Sequence, residues 1–246
     1  MYHFFVSTDQ ISGGTVAIRG RDVNHIRNVL RMSTGEPVFI SDQEGEGYEC
    51  EIREIRADEI LAQILTRSDR TAELPARLHL FQGLPKGDKM ELVIQKAVEL
   101  GACEIIPVVT RRTVVKLDKK KEAAKAVRWN AVAESAAKQS GRSLIPAVAG
   151  CMSLREALAY GEQFQVKIIP YEGAVGVAGL REQMERIRPG ADVGVYIGPE
   201  GGFEEEEVAM AESAGVIPVS LGRRILRTET AGLMVLSVAG YLLETM

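Results

Sequence analysis

Ile197-Gly198-Pro199-Glu200-Gly201-Gly202-Phe203 and, about twenty residues later, Leu221-Gly222-Arg223-Arg224-Ile225-Leu226-Arg227-Thr228-Glu229-Thr230-Ala231 decide how this chain is read. Each stretch follows a short apolar run, 193–197 and 217–221, and opens a helical pattern, so each reads as a glycine-rich turn from strand to helix. One such loop alone is a tight turn in which glycine supplies φ > 0 and Pro199 a fixed φ. Two of them so close in sequence let backbone amides and carbonyls approach one small ligand with no side chain in the way. That suggests a nucleoside-sized ligand. A P-loop would need G-x-x-x-x-G-K-[ST], and the nearest candidate, Gly83-Leu84-Pro85-Lys86-Gly87-Asp88-Lys89, lacks both the spacing and the hydroxyl. Glu200 and the glutamates at 204–207 put carboxylates where a phosphate would sit at a helix N-terminus, which disfavours a polyphosphate.

Outward from these loops, strand and helix signals alternate. Residues 78–81, 105–109, 166–169, 193–197 and 217–221 read as strands. After the first, Asp88 is expected to cap a helix with Met90, Val93, Ile94, Ala97 and Val98 on one face and Gly101 at its C′ position. This rhythm predicts an α/β fold with a parallel sheet covered by helices. The segment 230–245 is apolar on most faces and is expected to be buried on all sides. Upstream of a division near residues 67–75, alternating runs such as 37–40 and 48–52 read as strands of a smaller β domain, giving domains over 1–70 and 75–246. A short helix over 22–30 would carry Arg27 and Arg31 at i and i+4 on one face.

Composition suits a globular protein of the cytoplasm. With 246 residues and 46% hydrophobic content, the chain can bury one sizeable core or two unequal ones. Cys50, Cys103 and Cys151 lie far apart with no C-x-x-C pair, which indicates neither a disulfide framework nor a zinc site, and they are expected to be small buried residues. The start has no charged n-region before an apolar stretch, and the most apolar segment, 232–243, is well short of the roughly 20 residues that span a bilayer. No membrane and no metal are therefore expected. The net charge of -4 disfavours nucleic acid at first sight, but the basic residues are clustered. Eight lysines and arginines against two acids occupy 111–128; Arg19, Arg21, Arg27 and Arg31 with His25 form a second group; Arg223, Arg224 and Arg227 crowd the second glycine loop. Any one cluster can be a solvated face, whereas three beside a nucleoside-sized site point to RNA.

The pair of loops, preceded by Ile168-Ile169-Pro170-Tyr171-Glu172, resembles the SPOUT class of S-adenosylmethionine-dependent RNA methyltransferases. Across the whole chain the sequence is similar to the bacterial RsmE family: His25-Ile26-Arg27-Asn28-Val29-Leu30-Arg31 with Gly35, Lys86-Gly87-Asp88-Lys89, and Glu134 with Gln139-Ser140-Gly141-Arg142 and Pro146 match its other signatures in order. His3, where a basic Arg is expected, and Lys138, where an acid is more usual, depart from the pattern. The resemblance implies methylation of N3 of a uridine in 16S ribosomal RNA of the small subunit, a PUA-like β-barrel that helps hold RNA, a C-terminal trefoil knot from 197 onward, and a homodimer with its site at the interface.

The site residues follow from matching positions. S-adenosylmethionine would lie against Tyr171, Glu172, Gly198, Pro199, Glu200, Gly201, Gly202, Leu221, Gly222, Ile225, Leu226 and Thr230. Arg227 would stabilise the developing uracil anion, and Glu229 would accept the proton or hold Arg227 in place. Alternatively, Glu229 and Thr230 serve only the first turn of a helix. RNA contacts are expected from Arg19, Arg21, Arg27, Arg31, Lys86, Arg112, Arg142 and Arg223. Two rival functions stay open, a non-catalytic ribosome-binding factor and a SPOUT enzyme acting on another nucleotide.

Overall fold

The computed structural model describes residues 1–68, 71–115, 118–174 and 176–245, without the side chain of Lys119. Two compact units emerge. The first comprises residues 1–73 and 137–145, and the second 74–136 and 146–246. The nine residues 137–145 thus join the N-terminal unit although they lie far along the chain.

In the first unit, strands β1 (Tyr2–Phe5), β2 (Ile11–Ser12), β3 (Thr15–Arg19), β4 (Pro37–Ser41), β5 (Gly47–Ile55) and β6 (Glu59–Ser68) form one sheet in the order β1-β4-β5-β6-β3-β2. Period-two alternation sends Val16 and Ile18 of β3, Val38 and Ile40 of β4 and Ile52 of β5 to one core, each nearly inaccessible to water. Burial of each such side chain is worth roughly 1.5–3 kcal/mol. Helix α1 (Arg21–Asn24) runs on into a π-helical turn, His25–Val29, which leaves Val23 and Ile26 facing that core. The helical path ends before Arg31, whose φ of 53° is left-handed, so Arg27 and Arg31 do not share a helix face as the i, i+4 spacing suggested.

In the second unit, strands β7 (Arg77–Gly83), β8 (Ala102–Val109), β9 (Ala147–Val148), β10 (Met152–Ser153), β11 (Val166–Pro170), β12 (Asp192–Ile197) and β13 (Ile217–Val219) make a seven-stranded sheet. Its order is β10-β8-β7-β12-β11-β13 with β9 beside β8, and every pairing is parallel. Such a sheet needs helices on its faces, and α2 (Lys89–Glu99), α3 (Lys119–Ser140), α4 (Leu154–Tyr160), α5 (Ala178–Met184), α6 (Glu205–Ser213) and α7 (Thr228–Leu243) connect and cover it. Helix α2 buries the predicted face, Met90, Val93, Ile94, Ala97 and Val98, and ends at Gly101 with φ 89°. Asp88 stands at its N-cap without a side-chain cap bond; its carbonyl accepts from the Glu91 amide instead.

Helix α7 packs on α2, β7 and β12. A Cβ at Gly232 would meet Leu80 Cδ1 at 3.2 Å, so the helix lies close enough to the sheet that a larger residue would need the Leu80 side chain to give way. Burial within the protomer is one-sided, which leaves open the side that a second subunit is expected to cover. Ala231, Val235, Leu236, Ala239 and Leu243 face inward, while Tyr241 is 71% exposed and Met234 and Val238 are partly open. Among the cysteines only Cys50 is fully buried; Cys103 and Cys151 are half-buried, and all three are free thiols.

Candidate active site

The carboxyl ends of β7, β12, β11 and β13 converge, and the two glycine loops leave from there. A Cβ on Gly83, the last residue of β7, would come within 2.5 Å of the Pro199 nitrogen and 2.7 Å of the Gly198 carbonyl carbon. A Cβ on Gly198 would in turn sit 3.1 Å from Gly202, which has φ 69°. Backbone therefore packs directly on backbone, as a ligand-cradling loop requires.

Thr228, at the start of α7, fastens the second loop to the first. Its hydroxyl donates to the Gly198 carbonyl at 2.5 Å and accepts from Gln82 Nε2 at 2.8 Å. The Gln82 side chain is buried, and its Oε1 has no partner within the described residues. Glu200 accepts from the Lys86 amide at 2.9 Å and lies 3.5 Å from Lys89 Nζ, which is also 3.3 Å from Glu229 Oε2. Burial works to raise the Glu200 carboxyl, but hydrogen bonds from the Lys86 amide and its own, with the Lys89 ammonium, hold it below its ordinary value. Further along, Glu207 is buried and accepts from the amides of Arg111 and Glu204, closing a capping box at the N-terminus of α6. Protein carboxylate occupies that helix end, in keeping with a ligand that is not a polyphosphate.

Of the residues singled out from sequence, Gly198, Glu200 and Glu229 come together with Lys89, Gln82 and Thr228, and Thr228 itself was not among them. Arg227 is the N-cap residue of α7, with its carbonyl bonded to the amides of Thr230 and Ala231 and its side chain exposed. A cavity of about 360 Å³ lies past the carboxyl ends of β11 and β13, lined by Tyr171, Gly173, Ala174, Gly176, Val219 and Ser220 among others and by no residue of this cluster. Tyr171 is the one predicted cofactor residue on its wall; Gly173, Gly176 and Ser220 were missed, although a Gly-x-x-Gly run after β11 is itself a signal. Gly222 takes φ 110°, while Ile225, read as an apolar wall, is 84% exposed in the protomer and forms no wall there. Leu221 and Leu226 are partly buried, and Glu172 and Thr230 are exposed.

Basic residues sort into two kinds. Arg223, Arg224 and Arg227 are exposed and without an ion-pair partner among the described residues, and the Lys86 side chain is exposed as well. Arg112 instead donates to the Gly201 carbonyl at 2.8 Å, shaping the glycine loop while half exposed. In the first unit, Arg19 pairs with Glu59, Arg27 donates to the Ala57 carbonyl at 3.0 Å, and Arg21 and Arg31 are exposed. Arg142 is a correction to the expected RNA contacts: its side chain is 3% exposed and forked on Glu73, which also takes the amides of Ser143 and Leu144. A guanidinium so enclosed braces the turn and offers nothing to a phosphate. Lys138 is likewise spent on Asp22 at 2.9 Å, and His3, wedged between Phe5 and Phe39, is pushed down to about 4 by burial and the Lys138 charge. Lys116 and the side chain of Lys119, counted in the basic run, lie outside the described residues.

A parallel sheet whose glycine-looped carboxyl end carries unpaired arginines, in a chain with a small separate β domain, has the build of an RNA methyltransferase. The family model for the RNA methyltransferase domain matches residues 72–240, and that for the RNA methyltransferase PUA domain matches residues 18–65. Ribosomal RNA small subunit methyltransferase E of Bacillus subtilis is 36% identical over 94% of this chain and 91% of its own length. The protein of that name from Synechocystis is 31% identical over 99% of this chain and 78% of its own. The Neisseria gonorrhoeae counterpart, solved bound to S-adenosyl methionine, superposes with a TM-score of 0.85 at 33% identity, covering 98% of each chain. The chain belongs to the ribosomal RNA small subunit methyltransferase E family.

Proposed function

We propose that this protein uses S-adenosylmethionine to methylate N3 of one uridine in 16S ribosomal RNA of the small subunit, acting in the cytoplasm as a homodimer with its C-terminal segment threaded as a trefoil knot. The observation that carries the reading is the backbone-on-backbone contact of Gly83 with Gly198 and Pro199, beside a second glycine loop fastened to the first through Thr228. A donor set of carbonyls and amides without side chains suits an adenosine, and the protein-filled helix end at Glu207 suits a cofactor lacking polyphosphate. Residues 171–172, 198–202 and 221–226 with Thr230 would hold it. When bound, it supplies an electrophilic methyl group.

The chain's own residues then have three tasks. They align the acceptor nitrogen in line with the donor, which demands that the uracil be unstacked to present its Watson-Crick edge. They lower the cost of negative charge on the uracil as its N3 proton leaves; the exposed, unpaired Arg227 guanidinium at the mouth of the site is suited to that. They receive the proton, and Glu229, 17% exposed in the first turn of α7, would accept it or hold Arg227. Phosphates would be met by Arg19, Arg21, Arg27, Arg31, Lys86, Arg112 and Arg223. The half-open side of α7, where Tyr241 is 71% exposed, supports a homodimer that covers it. Among the described residues no helix is long and apolar enough to cross a membrane, and no group of His, Cys, Asp and Glu could hold a metal.

The test is methyl transfer from isotopically labelled S-adenosylmethionine to unmethylated small subunits and to protein-free RNA, with the product nucleoside identified by mass spectrometry. The expected product is 3-methyluridine at one position. A different methylated nucleoside would discard the N3-uridine assignment, and cofactor binding without any transfer to either RNA would discard the enzyme reading for these substrates.

A further inference from the structure

Lys89 has no part in the site as read from sequence, yet among the described residues it alone makes salt-bridge contact with both loop regions. Its ammonium lies 3.5 Å from Glu200 of the first glycine loop and 3.3 Å from Glu229 at the start of α7. Those two regions are also tied by the Thr228 hydroxyl on the Gly198 carbonyl. The contacts therefore close a ring: Gly198 along the chain to Glu200, across to Lys89, across to Glu229, back one residue to Thr228, and across to Gly198. The Lys86 amide pins Glu200 from outside the ring, and Gln82 Nε2 pins Thr228. Lys89 itself is the first residue of α2, whose apolar face is buried against the sheet, so the cation is presented by a rigid element. It is 33% exposed, Glu200 30% and Glu229 17%, so the three charges are partly shielded from water.

We propose that Lys89 is a positioning residue that locks the start of α7 against the first glycine loop, fixing Arg227 and Glu229 relative to the cofactor cradle. Without its charge, two carboxylates would face one another across the ring with nothing between them. Like charges at that range repel, and the first turn of α7, which carries Glu229 and is held to Gly198 through the Thr228 hydroxyl, is what the repulsion would loosen. The role rests on the proposed methyl transfer for its consequence, though not for its geometry.

The experiment pairs Lys89→Met with Lys89→Arg, in the full-length protein. Hydrogen exchange of the Thr230 and Ala231 amides, both bonded to the Arg227 carbonyl, in the protein without cofactor reads the lock directly, and single-turnover transfer at saturating cofactor and RNA reads its consequence. In Lys89→Met those amides are expected to exchange about tenfold faster, with the buried strands β7 and β12 unchanged. Single-turnover rate is expected to fall roughly tenfold to a hundredfold, while Lys89→Arg keeps both readouts within about threefold of the parent. In the double variant Lys89→Met, Glu229→Gln, exchange is expected to return toward the parent, because one of the two repelling charges is gone. Unchanged exchange in Lys89→Met overturns the proposal, as does faster exchange in the double variant than in Lys89→Met alone. If the parent transfers no methyl group, the functional reading fails, and exchange alone still judges the lock.

Discussion

The two ends of the parallel sheet are built on opposite principles. At the amino end, β7, β8 and β12 start side by side, and their charges are paired to completion. Arg77 forks on Asp192 at 2.6 Å; His79 places one ring nitrogen 2.9 Å from Asp192 and the other 3.0 Å from Glu104; Tyr160 donates to Glu104. Since both partners of the ring are carboxylates, both nitrogens must donate, which makes His79 an imidazolium. Burial would lower it, but the Cys103 sulfur and the Glu104 and Asp192 carboxylates around it outweigh that and push it up to about 10. At the carboxyl end the reverse holds: among the described residues Arg223, Arg224 and Arg227 stand exposed without ion-pair partners and Gln82 Oε1 is orphaned, and glycines strip the loops of side chains. Charge that is satisfied internally holds strands together. Charge left open is available to something outside the chain.

The comparison breaks most visibly at Arg227. Arg227→Ala is expected to slow single-turnover methyl transfer roughly a hundredfold or more, as loss of a charge-stabilising donor does elsewhere, with the melting temperature unchanged. A parallel loss of stability would mean that the arginine belongs to the paired kind. Gly83→Ala probes the cradle itself. Its added Cβ has backbone, not a flexible side chain, in its way, so a stability loss of about 1–3 kcal/mol with loss of cofactor binding by calorimetry is expected.

At the amino end, His79→Gln should cost about 2 kcal/mol of stability near neutral pH and leave the transfer rate of the folded protein alone. The pH dependence has a definite sign. A group whose folded value is raised from 6.5 to about 10 contributes fully below pH 6.5, and that contribution drains away as pH rises through 10. Chemical denaturation of parent and variant should therefore converge in strongly alkaline buffer. The smallest effect is expected at Arg31. Arg31→Ala should weaken binding to small subunits a few-fold and reduce the salt slope by about 1, with cofactor affinity unchanged.

Much of the fold could be read from periodicity because the strands of a parallel sheet are continuous apolar runs: 78–81 grew to Arg77–Gly83 and 193–197 to Asp192–Ile197. Local chemistry was legible too, as at Gly101, where a left-handed residue must end α2. What escaped is non-local. Nothing near Arg142 announces that Glu73 will enclose it, or near Lys138 that Asp22 will take its charge, since these partners lie 69 and 116 residues away. Arg142 therefore looked like an RNA contact, when it is enclosed within the first unit. Ile225 shows a second limit, because an apolar residue in a loop has the same letter whether it lines a pocket or stands in water. Arg31 shows a third: the i, i+4 rule holds only while the helix lasts, and a π turn ends this one early. Lys89 was quoted within a motif, but its bridging of Glu200 and Glu229 needs the β7, β12 and α7 ends to be brought together first.

The most direct test of the contrast is hydrogen exchange with and without saturating S-adenosylmethionine. Protection confined to 171–176, 198–202 and 221–230, with no change around Arg77, His79, Glu104 and Asp192, is the result this account predicts. Protection at the amino end of the sheet, or none at the glycine loops despite measured binding, would contradict it.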